Sequence, residues 1–409
     1  MSRAPYIDSG DARLCTGCSA CAFACPTGAI SMGEDACGFT YPVVDEGACV
    51  SCGRCLSSCH MARSDEFKAG SDPAAFGAYD KDADALRRSA SGGIATLLCA
   101  SAVNVGGAAY GCVAHRELVR HERLVTRDEL ELARGSKYVQ SDISDALAGI
   151  AADLDSGKEV AFVGTPCQCA AVRALFGGRS DLLLVDLVCE GVPSRRMYAD
   201  FLDDLERERG ERVSDFRFRD KRGGWSTKNP FVVGGGGEHL GRQPHSHRYC
   251  YYWLFAHALI LRDCCYECPY ACRRRVGDVT VGDFWGAEAS GLGYGLRELR
   301  GGVSCVLAST EKGRRALESL SDNIDVRACD PGVVVRGNSC LARPSTCDRE
   351  TRARVLSAYA DGGAAGMSSE YRRMFAFAAR VKAAVSARLP LAFKVAAKRA
   401  MSKLKGSNG

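Results

Sequence analysis

The chain has 409 residues, a net charge of +5 and 23 cysteines; at about 100–200 residues per domain it holds two or three domains and a sizeable core. A charged fraction of 25% and a hydrophobic fraction of 46% are ordinary for a soluble globular protein and exclude fibrous and disordered classes. An odd cysteine count excludes one closed disulfide framework, the first residues show no apolar signal core, and no run reaches the ~18 apolar residues of a membrane span. The expectation is a cytoplasmic protein whose thiols are reduced or bound to metal.

Nine cysteines fall before residue 60 and five more from Cys250 to Cys272. Thiolates clustered at fixed spacing are what a metal centre demands, because several must converge on it. The first group is Cys15-x2-Cys18-x2-Cys21-x3-Cys25-Pro26, and the second is Cys49-x2-Cys52-x2-Cys55-x3-Cys59-His60. This is the bacterial ferredoxin spacing: three cysteines of a tight loop take three corners of one cube, and the fourth ligates the other. Cys15, Cys18, Cys21 and Cys59 are therefore assigned to one [4Fe-4S] cluster, and Cys49, Cys52, Cys55 and Cys25 to the second. Zinc ribbons also use Cys-x2-Cys, but as pairs separated by a longer loop. Two details depart from the pattern. His60 replaces the proline that usually follows the last cysteine, and Cys37 fits no ligand position. Residues 28–32 and 39–44 read as the short strands of an α+β ferredoxin-like module over 1–66, which ends in a polar link from Arg63.

Further along, strand and helix signals alternate. Residues 159–164 read as a buried strand, followed by Thr165-Pro166-Cys167 and a helix over 169–176. Residues 181–188 form a second strand leading to Cys189-Glu190-Gly191, then a helix from its cap Ser194 to its stop Gly210. A third unit pairs a strand at 302–307 with a helix over 310–320. Repeated βα units predict an α/β domain over 67–345 with a largely parallel sheet, whose binding crevice lies beyond the strand C-termini. Cys167 and Cys189 sit at such ends. With the Cys265-x2-Cys268 pair they form a four-thiolate set suited to a third [4Fe-4S] cluster; Cys169, Cys264 and Cys272 remain open as substitutes. No GxGxxG follows a strand and no P-loop is present, so a Rossmann-type NAD site and NTP hydrolysis lack support. Gly234–Gly237 reads as a flexible turn, and His245 and His247 as surface residues.

The chain resembles the coenzyme F-420 hydrogenase and dehydrogenase beta-subunit family, in the form with an N-terminal ferredoxin module. The matching stretches are Ser91-Gly-Gly-Ile-Ala-Thr-Leu-Leu98, Gly135-Ser-Lys-Tyr-Val-Gln-Ser141 and Phe162-Val-Gly-Thr-Pro-Cys-Gln168. They continue in family order with Val185-Asp-Leu-Val-Cys-Glu-Gly-Val-Pro-Ser194, Phe218-Arg-Asp-Lys-Arg-Gly-Gly-Trp225, Cys265-Tyr-Glu-Cys268 and Gly277-Asp-Val-Thr-Val-Gly-Asp-Phe-Trp-Gly286. The resemblance implies FAD beside a [4Fe-4S] cluster in the second domain, with Ser91, Gly92, Gly93, Lys137 and Tyr138 as flavin contacts. A Ser-Gly-Gly helix start offers backbone N–H groups to a diphosphate, and Lys137 is a plausible counter-charge. The family commonly has histidine where Glu190 stands, which puts a carboxylate near the cofactors and leaves the substrate open.

Residues 346–409 read as a helical C-terminal tail. Positions 371–409 carry ten Lys or Arg and no Asp or Glu, so residues 1–370 hold a net −5 (+5 less +10). Such a segment either packs on its own domain with a solvated basic face or makes peripheral contact with an anionic membrane; nucleic acid is not an expected partner. The sequence thus predicts an iron–sulfur flavoprotein oxidoreductase that passes electrons between a redox protein (ferredoxin-like or a dehydrogenase subunit) and a small-molecule substrate. The alternative is an electron-transfer subunit or adapter without its own substrate site.

Overall fold

The computed structural model describes residues 4–116, 118–222, 224–225, 230–237, 249–374 and 396. Near the N-terminus two short helices, Ala20–Phe23 and Arg54–Ser57, pack together beside an antiparallel pair, β1 (Ile30–Glu34) and β2 (Thr40–Val44). These elements form a small helix-and-strand module around the two cysteine runs. The remaining strands are β3 (Ala74–Asp80), β4 (Ala108–His115), β5 (Leu118–Leu124), β6 (Val160–Gly164), β7 (Leu182–Leu187), β8 (Val213–Arg217), β9 (Phe231–Gly234), β10 (Val279–Asp283), β11 (Ser304–Ala308) and β12 (Ile324–Cys329). Eight of them form one sheet in the order β12-β3-β11-β10-β7-β6-β4-β5, and β8 pairs with β9 apart from it.

The parallel part of the large sheet is its centre. β10, β7, β6 and β4 run parallel, and β5 on one side and β11, β3 and β12 on the other join antiparallel. The expected units after β6 and β7 are in place: helix Pro166–Phe176 follows β6, and helix Arg195–Arg209 follows β7, with Ser194 capping it and Gly210 in the left-handed conformation ending it. The third unit differs. β11 and its helix Glu311–Glu318 are present, but β11 runs antiparallel to β10. All five of its residues are buried, so its apolar run reads alike in either direction.

The polar link expected from Arg63 is instead packed. Residues His60–Phe67 form a 3-10 segment whose Met61 and Phe67 are buried in the same core as Phe162, Cys169 and Tyr270. A second core joins Phe39 and Tyr41 of the module to helix Arg195–Arg209 and to Val355, Tyr359 and Met367 of the last helix, Arg349–Met374. Helical structure thus does follow residue 346, with a kink at Gly363. The basic segment beyond 374, and His245 and His247, lie outside the described residues. Among the described residues no helix is long and apolar enough to cross a membrane.

Candidate iron–sulfur and cofactor site

The two N-terminal cysteine loops turn alike. In the first, Gly17 and Ser19 flank Cys18 with φ of +65° and +61°; in the second, Ser51 and Gly53 flank Cys52 with φ of +53° and +72°. Left-handed residues alternating with ordinary ones turn successive backbone N–H groups inward, the concave arrangement that receives anionic centres. Non-glycine residues rarely adopt this conformation, so Ser19 and Ser51 mark a constrained loop. Gly17 N–H also points to Cys15 Sγ at 3.4 Å.

Cys15, Cys18, Cys21 and Cys59 lie within one another's electrostatic range. Burial, followed by the charges of Cys59 and Cys15, pushes the Cys18 thiol up to about 12, and burial with Cys18, Cys15 and Cys59 raises Cys21 as well. Thiols buried side by side, as Cys18, Cys21 and Cys59 are, need a cationic centre to become thiolates. In the second loop Cys55 feels Cys49 and Cys52, both of which are exposed. Cys25 lies 3.6 Å from Thr27 Oγ1, which lowers its thiol. Cys37 is an isolated half-buried thiol, pushed up to about 11 by burial.

Arg262 completes the first set. Its guanidinium is fully buried and bonds Cys15 O at 2.8 Å, Thr40 O at 2.5 Å and Cys15 Sγ at 3.6 Å. Among the described residues it makes no ion pair with a carboxylate. A buried cation needs a counter-anion, and a cluster held by four thiolates is one.

The third set forms at the ends of the parallel strands. Thr165 N–H donates to Gln168 Oε1 at 3.0 Å, starting helix Pro166–Phe176 before Cys167, so Cys167 lies in its first turn, where burial, followed by the charge of Cys268, pushes its thiol up to about 12. Gly191, with φ +118°, lets its loop meet the Cys265 loop: a Cβ there would stand 3.0 Å from Cys265 Cβ and 2.7 Å from Leu261 Cδ1. Cys189 is raised first by burial, then by Cys265, Cys167 and Cys268. Of the substitutes, Cys169 donates to Gly164 O and Val185 O in the core, and Cys272 to Pro269 O and Arg274 O. Cys264 stays beside the set, its thiol raised by its bond to Cys265. No three His, Cys, Asp or Glu among the described residues are close enough for a single ion; a four-iron cube spreads its ligands wider.

Cys167, Cys189 and Glu190 also form part of the wall of a cavity of about 310 Å³, a size typical of small-molecule sites. It lies at the C-terminal ends of β6, β7 and β10, the crevice position expected for such sheets. At one side is the start of helix Ile94–Asn104, whose cap Gly93 (φ +85°) makes no side-chain bond to it. Facing the cavity elsewhere are Tyr138, Tyr252, Arg219, Asp283 and Trp285. Arg219 is paired with Asp283 at 2.7 Å, and the Tyr252 hydroxyl is buried with no hydrogen-bond partner among the described residues.

Residues 157–332 match the family model for the C terminus of the coenzyme F420 hydrogenase/dehydrogenase beta subunit, and residues 14–62 match the 4Fe-4S dicluster domain. The chain thus carries the C-terminal domain of the coenzyme F420 hydrogenase/dehydrogenase beta subunit behind a 4Fe-4S dicluster domain. Its N-terminal module is an iron–sulfur module, and the family is one of oxidoreductases. A chain of the F420-reducing [NiFe] hydrogenase complex from Methanosarcina barkeri is similar at 18% identity, over 76% of this chain and 95% of that one, with a TM-score of 0.40. No curated protein matches.

Within this beta-subunit domain, one expected flavin contact, Gly92, is turned elsewhere. Gly92 does not face the cavity: its N–H donates to Ser304 Oγ at 2.8 Å, and a Cβ would stand 2.3 Å from Ala78 O. Its missing side chain serves the packing of β3 against β11. Lys137 reaches the wall, but its ammonium donates to the carbonyls of Leu132, Ala133 and Arg134, which uses its three donors at the end of helix Arg127–Ala133. Ser91, Gly93 and Tyr138 do line the cavity. Arg262, Arg219 and Tyr252 were not singled out by sequence. Only Arg262 carries a local signal, a charge directly after the apolar run 259–261 and just before the cysteines.

Proposed function

We propose that the chain is an iron–sulfur flavoprotein oxidoreductase with three [4Fe-4S] clusters and FAD. It passes electrons between a redox protein, ferredoxin-like or a dehydrogenase subunit, and a small-molecule substrate. The observation that carries this reading is the shared wall: Cys167 and Cys189 belong both to the third thiol set and to the large cavity. Bound clusters supply single-electron steps, and bound flavin converts between one- and two-electron chemistry.

The chain's own residues have definable parts in this. The exposed second loop, with Cys49 and Cys52, is the side a protein donor or acceptor reaches. The first turn of helix Ile94–Asn104 offers backbone N–H groups to a diphosphate. Tyr138, stacked on Phe255 at 4.7 Å, and Trp285, stacked on Trp225 at 5.2 Å, give flat apolar walls for a ring system. The unpaired Tyr252 hydroxyl supplies a hydrogen bond to it. Arg219 and Asp283 neutralise one another and fix that wall. Glu190, at the border of both cavities, is the group nearest a proton-exchange role.

Anaerobic purification with metal and flavin analysis tests the proposal. The expected result is about twelve irons and about one FAD per chain. About eight irons without flavin would favour the electron-transfer adapter, and stoichiometric zinc without iron would overturn both.

A further inference from the structure

His60, the residue that stands in the usual proline position, is used by the fold. Its Nδ1 lies 2.6 Å from Tyr270 Oη, and its Nε2 lies 3.2 Å from Thr16 Oγ1. Both rings are 1% exposed, so this contact is sealed from water. His60 directly follows Cys59 and Thr16 directly follows Cys15, both of the first thiol set. Tyr270 lies two residues after Cys268 of the third set. The Tyr270 hydroxyl is in the field of Cys167 and Cys268 of the third set and of Cys18 and Cys59 of the first. Thr16, Met61 and Tyr270 also share a small cavity of about 40 Å³ with Cys167, Cys265 and Cys268. A proline at position 60 would have no polar side-chain atom to make this contact.

We propose that the His60–Tyr270 hydrogen bond is the wiring contact between the ferredoxin module and the third thiol set. The route runs from Cys59 to His60, across the hydrogen bond to Tyr270, and through Pro269 to Cys268. One electron leaves the centre held by Cys15, Cys18, Cys21 and Cys59 and is taken up by the centre held by Cys167, Cys189, Cys265 and Cys268. No covalent bond forms or breaks and no net proton moves; a one-electron donor at the exposed second loop replaces the electron. This inference rests on the three-cluster reading above. His60 and Tyr270 act as positioning residues in it.

The test uses the anaerobically purified full chain, mixed with dithionite and freeze-quenched, with the reduction of each centre followed by electron paramagnetic resonance. Tyr270→Phe removes only the hydroxyl. His60→Leu removes the ring nitrogens, and His60→Asn keeps a polar atom near the Nδ1 position. In Tyr270→Phe and His60→Leu, iron, flavin and equilibrium potentials are expected to stay at wild-type values while reduction of the third centre slows. The double variant is expected to be no slower than either single one, because both remove one contact. His60→Asn is expected to recover part of the rate. Wild-type kinetics in a fully loaded Tyr270→Phe protein would overturn the wiring role. If Tyr270→Phe loses iron, the comparison of His60→Leu with His60→Asn decides, and equal rates overturn it. A wild-type chain with about eight irons in place of about twelve refutes the three-cluster reading before any variant is made.

Discussion

Arg262 carries a charge that its surroundings do not balance with a carboxylate among the described residues, and its bonds to Cys15 tie it to the first thiol set. A nearby cation favours the more negative, reduced state of a cluster. Arg262→Gln should therefore lower the potential of the first cluster, by on the order of 60 mV, the equivalent of a tenfold change for one electron. A redox titration followed by electron paramagnetic resonance measures this, and an unchanged potential would count against the cluster beside Cys15. Tyr252 is the corresponding test of the cavity. Tyr252→Phe keeps the ring and loses one hydrogen bond, so FAD binding should weaken about two- to tenfold in a fluorescence titration. His121 sets a pH limit: burial holds it down to about 4, between Ser141 Oγ and Val163 O. Its folded value lies below the 6.5 of an ordinary histidine, so the unfolded chain binds the proton first. Stability from this residue is full above about 6.5 and falls as pH drops toward about 4, which denaturant midpoints across that range would reveal.

At the scale of elements, Ser91-Gly92-Gly93 separates two jobs that sequence alone merges into one phosphate loop. Gly93 takes the left-handed conformation that starts helix Ile94–Asn104 at the cavity. Gly92 lets the turn press against β3 and β11, where a Cβ would collide with Ala78 O and Ser304 N. Gly92→Ala should thus cost about 1–3 kcal/mol of stability in chemical denaturation, as overpacking does. An unchanged midpoint would mean the contact is looser than it stands. The helices after β6 and β7 were readable because caps and stops are local: Thr165, Ser194 and Gly210 act on their own turns. The direction of β11 was not readable, because a strand buried on both faces shows no sign of its polarity.

Across the whole molecule, the ferredoxin module and the beta-subunit domain are joined by shared cores. Met61 and Phe67 pack with Phe162 and Cys169, and Phe39 and Tyr41 pack with Met197 and Tyr359. The thiol sets lie against these cores, with Cys18, Cys59, Cys167, Cys265 and Cys268 at the edge of one of them. Stripping iron with a chelator should therefore loosen both parts together. Hydrogen exchange would rise at 60–67 and at 160–172 in parallel, whereas loosening confined to the module would show two independent units.

The sequence by itself determined that residues 14–62 are an iron–sulfur module, because cluster spacing is written in consecutive residues and a tight loop leaves few alternatives. It also indicated Cys167 and Cys189 at strand ends, since a βα junction is a local feature. The tertiary structure decided what those ligands meet. It brought Cys265 and Cys268 to them through the close approach at Gly191, set a buried Arg262 against Cys15, and left Tyr252 in the cavity without a hydrogen-bond partner among the described residues. It also set the Lys137 ammonium against backbone carbonyls and the Gly92 N–H against Ser304 Oγ. These are contacts between residues tens to hundreds of positions apart, and no local spacing, cap or periodicity encodes which distant carbonyl a side chain will reach once the core closes.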